Sequence, residues 1–204
     1  MNHQLNEFQL DQLKEIVNIG ASHASTALSQ MINKKVGLTV PKAYIDKIEK
    51  VGKMIPSGDE KITAALLKIF GDANGVMFFM FTNGCDVKLA KLLTKNTNET
   101  GVMTEMELSS IKEVGNVLAG ACLSAFSKFL NMNLLHSVSN IAVDSISSII
   151  NSVAIEVGKN TGEALIFEVD FDIKEEDISS HLFFFIDPRA TDKILDAIEK
   201  KYSS

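Results

Sequence analysis

Two stretches of the chain, 98 residues apart, repeat each other, and this repeat restricts the available folds more than any other feature. Leu10, Lys14, Glu15, Asn18 and Ala27 fall on Leu108, Lys112, Glu113, Asn116 and Ala125, while Asp11 falls on Ser109. Further along, Asp46 and Ile48 fall on Asp144 and Ile146, and the apolar run GVMFFMFT matches HLFFFIDP after a short insertion. A unit used twice, neither copy able to bury its apolar surface alone, must pack against its twin. The chain therefore reads as one domain of two homologous halves, about 1–98 and 99–204, related by a pseudo-two-fold axis.

Within each half the local signals follow the same order. Leu10, Leu13, Val17, Ala21, Ala24 and Leu28 recur at spacings of three and four, which predicts an amphipathic helix over about 7–33. A second such helix is predicted over about 104–131, opened by Thr104 with Glu107 three residues on as a capping box. The stretch VGLTVPKAYIDKIEKV is rich in β-branched residues and broken by Pro41, so it reads as extended. KITAALLKIFGD and NGVMFFMFT flank the Gly71 to Gly75 turn as a hairpin, a short helix follows over about 86–95, and TKNTNET is the linker between halves. In the second half LLHSVSNIAVDSISSII, NSVAIEVGK, GEALIFEVDFDI and HLFFFIDP read as extended, before a closing helix over about 190–201. HLFFFI, apolar on both faces, is assigned to a buried central strand. The expected class is α+β: an internally duplicated domain with two long amphipathic helices packed on a mainly antiparallel β-sheet.

Composition removes several classes of function. Hydrophobic residues make up 46% of the 204 and charged residues 23%, enough to build a packed core. Twenty-six acidic residues against 20 basic ones give a net charge of −6, which argues against nucleic acid as a partner. Cys85 and Cys122 form no C-x-x-C pair and no disulfide framework, as expected of a protein in a reducing cytoplasm. The N-terminal residues lack the basic start and apolar run of a secretory signal, and GVMFFMFT falls far short of the roughly 20 residues that cross a bilayer, so no membrane insertion is expected. His3, His23, His136 and His181 are dispersed and share no ligand spacing with either cysteine, so no metal site is expected. The acidic residues Asp170, Asp172, Glu175, Glu176 and Asp177 read as a solvated turn between strands.

At 100° per residue, Asp11, Glu15, Asn18 and Ser22 gather on one side of the first helix, away from its apolar stripe. Ser109, Glu113 and Asn116 repeat the spacing on the second. One Glu–Asn pair on a solvated helix is commonplace and carries no functional meaning. Its recurrence in two diverged halves does carry meaning, because Asn has mediocre helix propensity and helix stability does not account for keeping it mid-helix twice.

This pattern, Asp or Ser, three residues, Glu, two residues, Asn, then 22 residues and Pro, resembles the signature of the CheC, CheX and FliY family of chemotaxis phosphatases. The first copy reads Asp11, Glu15, Asn18 and Pro41, with EIVNIGASHASTALSQM similar to the family's helix; the second reads Ser109, Glu113 and Asn116, with Ser139 in place of the proline. Two copies in one chain with no appended domain match the CheC arrangement within that family. The resemblance implies hydrolysis of the aspartyl phosphate on phosphorylated CheY-type response regulators. In that role Asn18 and Asn116 position the attacking water, and Glu15 and Glu113 dock the receiver's lysine. It implies no cofactor of the chain's own, a Mg2+ held by the partner receiver domain, and a second partner in the receptor-modifying deamidase CheD. The competing expectation is a non-catalytic adaptor that binds a response regulator, a flagellar switch or that deamidase, since it too would keep an exposed polar helix face.

Overall fold

A computed structural model describes residues 5–55, 61–82, 84–95, 103–157 and 162–202. The two long helices begin and end on the same devices. In α1 (Glu7–Ile32) the Asn6 Oδ1 accepts from the Gln9 N–H at 2.8 Å and the Gln9 Oε1 accepts from the Asn6 N–H at 3.1 Å. In α4 (Glu105–Leu130) Thr104 and Glu107 close the same reciprocal box, the Thr104 N–H donating to Glu107 Oε2 at 2.7 Å. Each box satisfies two of the backbone donors that a helix start leaves open. Both helices stop at an asparagine in the left-handed region, Asn33 at φ 56° and Asn131 at φ 52°, a conformation that asparagine tolerates better than most residues.

The strands are β1 (Gly37–Lys47), β2 (Lys61–Gly71), β3 (Gly75–Phe81), β4 (Leu134–His136), β5 (Asn140–Ser145), β6 (Glu163–Ile173) and β7 (Ile178–Ile186). They form one antiparallel sheet in the order β1-β6-β7-β3-β2-β4, with β5 also on β2. The hairpins β2–β3 and β6–β7 lie side by side through β3 and β7, and the outermost strands are exchanged. β1 pairs with β6 from the C-terminal half of the chain, and β4 and β5 pair with β2 from the N-terminal half. Where β1 loses register between Thr39 and Lys42, the C-terminal half has the break that separates β4 from β5.

Helices cover both faces. On one side lie α1 and α4 with α3 (Cys85–Thr94) and α6 (Pro188–Tyr202), over a core that includes Leu13, Phe79, Phe81, Phe167, Phe171 and Phe184. On the other lie α2 (Ile48–Met54) and α5 (Ile146–Val157), over Val76, Phe78, Met80, Ile166, Phe183 and Phe185. Adjacent strand residues point to opposite faces, so β3 is buried along its whole length and Phe183, Phe184 and Phe185 feed the two cores alternately. Each such ring contributes about 1.5–3 kcal/mol on burial. Among the described residues no helix is long and apolar enough to cross a membrane.

The α+β class, both long helices, the β2–β3 hairpin, α3, α6 and the central place of HLFFFI agree with the sequence reading. Most of TKNTNET, residues 96–100, lies outside the described residues. Two segments read as extended are helical. The end of VGLTVPKAYIDKIEKV turns into α2, and ISSIINSVAIEV forms α5. Ile146, Ile149, Ile150, Val153 and Val157 are the buried positions of α5, at i, i+3, i+4, i+7 and i+11, and burying that stripe against the sheet outweighs the β preference of branched side chains. Each helix follows a strand-end aspartate that accepts the next backbone N–H: Asp46 from Lys47 and Asp144 from Ser145, both at 2.7 Å.

The long helices meet at small residues. A Cβ at Gly20 would stand 2.7 Å from the Cys122 Cα and 3.3 Å from the Ala125 Cβ, so glycine sets how closely α1 approaches α4. Gly20→Val should force the two helices apart and cost on the order of 1–3 kcal/mol, read as a lower urea midpoint with an unchanged slope.

Candidate functional site

The polar stripe predicted on α1 faces outward: Asp11, Glu15, Asn18 and Ser22 are all exposed. The buried face of the same helix is Leu13, Ile16, Val17, Gly20, Ala21, Ala24 and Leu28, so the 3.6-residue repeat separates the stripe from the core. On α4, Ser109 and Glu113 are exposed and Asn116 is half-buried. Neither asparagine is sealed in the interior, and both are carried on capped, 26-residue helices whose opposite faces are held by the sheet. Pro41 lies within β1.

The two asparagines differ in their surroundings. The Ser139 backbone N–H donates to the Asn116 Oδ1 at 3.1 Å. A backbone N–H can only donate, so this contact fixes the amide orientation with its oxygen inward and its NH2 outward. Ser139 is 3% exposed and sits in the break between β4 and β5, against Gly115. A Cβ at Gly115 would come within 3.1 Å of the Ser139 Oγ, so the absence of a side chain there admits the loop beside Asn116. The position 98 residues earlier is Val17, fully buried, and the position matching Ser139 is Pro41, which has no N–H to give. Among the described residues no hydrogen bond to Asn18 is found. In the sequence, the exchange of Pro41 for Ser139 reads as a change of turn; the structure makes it a change of hydrogen bonding at the asparagine.

Elsewhere, one cluster escapes detection in the sequence. Glu168, Asp170 and His181 bring three potential ligand atoms within 4.8 Å of one another, because β6 and β7 pair Asp170 with His181 directly. The close contacts in this group are an ion pair, Glu168 Oε2 at 3.2 Å from Lys42 Nζ, and a hydrogen bond between Asp170 Oδ1 and His181 Nδ1 at 3.1 Å. Of the five acidic residues read as a solvated turn, Asp170 and Asp172 lie instead in β6, paired with His181 and Ser179; Glu175, Glu176 and Asp177 do form the turn, with Glu176 and Glu175 at 2.8 and 3.4 Å from Lys34, whose ammonium they hold above its ordinary pKa.

At the α1–α4 seam burial pushes the Cys122 thiol up to about 12, and on the other face of the sheet, in β1, burial followed by the charges of Glu168 and Asp46 pushes Tyr44 up to about 12. Neither group resembles an activated nucleophile, since a reactive thiol needs a lowered pKa. The chemistry open to this surface is positioning by amide and carboxylate groups.

A CheC-like family profile matches residues 8–45, a span that contains Asp11, Glu15, Asn18 and Pro41. The CheY-P phosphatase CheC of Bacillus subtilis (strain 168) is 26% identical over 199 residues, covering 95% of this chain and 95% of that one. Thermotoga maritima FliY has a TM-score of 0.76 at 18% identity, over 97% of this chain and 98% of that one. CheX, in its complex with CheY, BeF3 and Mg2+ from Borrelia burgdorferi, has a TM-score of 0.54 at 15% identity, over 85% and 99%. At these identities the two structural likenesses establish the fold.

Cys122 and Tyr44 bind their protons more tightly folded than unfolded, so their contribution is complete below the ordinary values of 9.0 and 10.0 and is lost as pH rises from there toward 12. The urea midpoint should therefore fall above pH 9. At pH 8 iodoacetamide should leave Cys122 unmodified in the native chain and alkylate it once urea unfolds the protein, as mass spectrometry would show.

Proposed function

We propose that the chain is a CheC-like protein that hydrolyses the aspartyl phosphate of a phosphorylated CheY-type response regulator. The observation that carries this reading is the exposed Glu15–Asn18 pair on α1, met again as Glu113 and Asn116 on α4. The name of the B. subtilis relative as a CheY-P phosphatase supports the reaction, and the CheX–CheY complex supports a CheY-type partner for a protein of this fold.

An aspartyl phosphate is an acyl phosphate, already a reactive anhydride, so its hydrolysis needs no new nucleophile on the protein. It needs a water aligned with phosphorus. The Asn18 carboxamide can accept a proton of that water while placing no negative charge against the phosphoryl oxygens, whereas a carboxylate there would repel them. Glu15 and Glu113 supply the charge that pairs with the receiver's lysine, and that pairing fixes how deep the asparagine enters. The Mg2+ that neutralises the phosphoryl group belongs to the receiver, and this chain brings no cofactor of its own. A hundredfold acceleration takes only about 2.7 kcal/mol, within reach of one well-oriented water.

In the same reading the halves 1–98 and 99–204 descend from one ancestral unit, the protein works in the cytoplasm, and a CheD-type deamidase is a second partner.

Catalytic amounts of the chain should speed phosphate release from a phosphorylated receiver domain. The double variant Asn18→Ala, Asn116→Ala should return the rate to spontaneous decay, a loss on the order of a hundredfold, with an unchanged circular-dichroism spectrum. Decay unaffected by saturating protein would instead assign an adaptor role.

A further inference from the structure

Two copies of a motif invite the assumption of two equal sites. We propose that they are unequal, and that Ser139 sets the difference by binding Asn116 through its backbone N–H; this rests on the phosphatase reading above. In it, Asn18 carries most of the turnover, while Asn116 docks the receiver and turns over slowly until the tether is released.

The chemistry follows from the direction of one hydrogen bond. An attacking water must give a proton to an acceptor and keep a lone pair for phosphorus. The acceptor of an asparagine is its Oδ1. In Asn116 the Ser139 N–H at 3.1 Å fills one of that oxygen's two acceptor positions and holds the oxygen toward the break between β4 and β5, with the NH2 on the opposite side, outward. An outward NH2 donates to the water's oxygen, and so engages the electrons that have to attack. It can still donate to phosphoryl oxygens, which is a docking role. Asn18 is under no such restraint, because the residue matching Ser139 is Pro41 and a proline has no N–H.

The tether is built in rather than incidental. Ser139 is buried at 3% exposure, and its Oγ finds no hydrogen-bond partner. The neighbouring Gly115 gives up a side chain that would stand 3.1 Å from that Oγ, where α1 has the buried Val17. Loop, glycine and asparagine together make a contact that, among the described residues, is found in the second copy and has no counterpart at Asn18. Ser139 is thus a positioning residue, acting through Asn116.

The experiment compares single-site forms on one phosphorylated CheY-type receiver, following kcat and KM for phosphate release. The Asn116→Ala chain should keep most of the intact rate, and the Asn18→Ala chain should be about five- to tenfold slower, the size of effect one hydrogen bond produces. Adding Ser139→Pro to Asn18→Ala should raise kcat several-fold with KM unchanged. Gly115→Ala, which presses on Ser139 without altering the loop sequence, should move kcat the same way and serves if the proline variant does not fold. Amide hydrogen exchange at Ser139 should be slow in the intact chain and faster in Asn116→Ala. Equal rates for the two single-site forms, or a folded Ser139→Pro or Gly115→Ala form no faster than its parent, would overturn the inequality alone. Full activity in the double asparagine variant, or none in the intact chain, would overturn the phosphatase reading and the inequality with it.

Discussion

The pairing of β3 with β7 is the constraint on which everything else depends. It runs from Gly75 opposite Ile186 to Met80 opposite His181, and it is the seam where the two hairpins become one sheet. Both strands are sandwiched between helices, with Phe78 stacked near Phe183 on one face and Phe79 edge-on to Phe171 on the other. Such a strand cannot be exposed on either side, so it demands a helical layer above and below. The exchange of edge strands follows the same logic. Because β1 lies on β6, and β4 and β5 lie on β2, each half completes the sheet of the other, and neither half has a finished core alone.

That interlocking is what makes the long helices suitable for presenting side chains. α1 and α4 are anchored by their apolar faces to a sheet that the whole chain helps to build, and they close on each other where Gly20 meets Cys122. Side chains on the opposite face are therefore carried by rigid rods whose ends are capped. A surface of this kind suits a reaction that needs placement more than chemical power. Glu15 and Asn18 are ordinary residues, and what they offer is a fixed spacing on an exposed helix face.

Much of this was legible in the sequence because its signals are local and periodic. The apolar repeat of α1 and α4, the Thr104–Glu107 capping box, the turn at Gly71 to Gly75 and the two-faced burial of HLFFFI each follow from spacing within a few residues. The helix α5 was not legible as such. Its isoleucines and valines favour strands, and only a sheet surface waiting beneath them makes the helical stripe the better way to bury them. The Glu168, Asp170 and His181 cluster was hidden for another reason, since strand register rather than sequence spacing brings those side chains together.

By itself the sequence determined which residues face outward on the long helices, because a 3.6-residue period divides a helix into two sides wherever it is placed. It also determined that Pro41 has no N–H while Ser139 has one. What only the tertiary structure decided is where that N–H goes. Ser139 reaches the Asn116 Oδ1 across 22 intervening residues, because β4 and β5 fold back along α4 and Gly115 leaves room for the approach. Contacts between elements depend on how surfaces fill space against one another, and no local period encodes that.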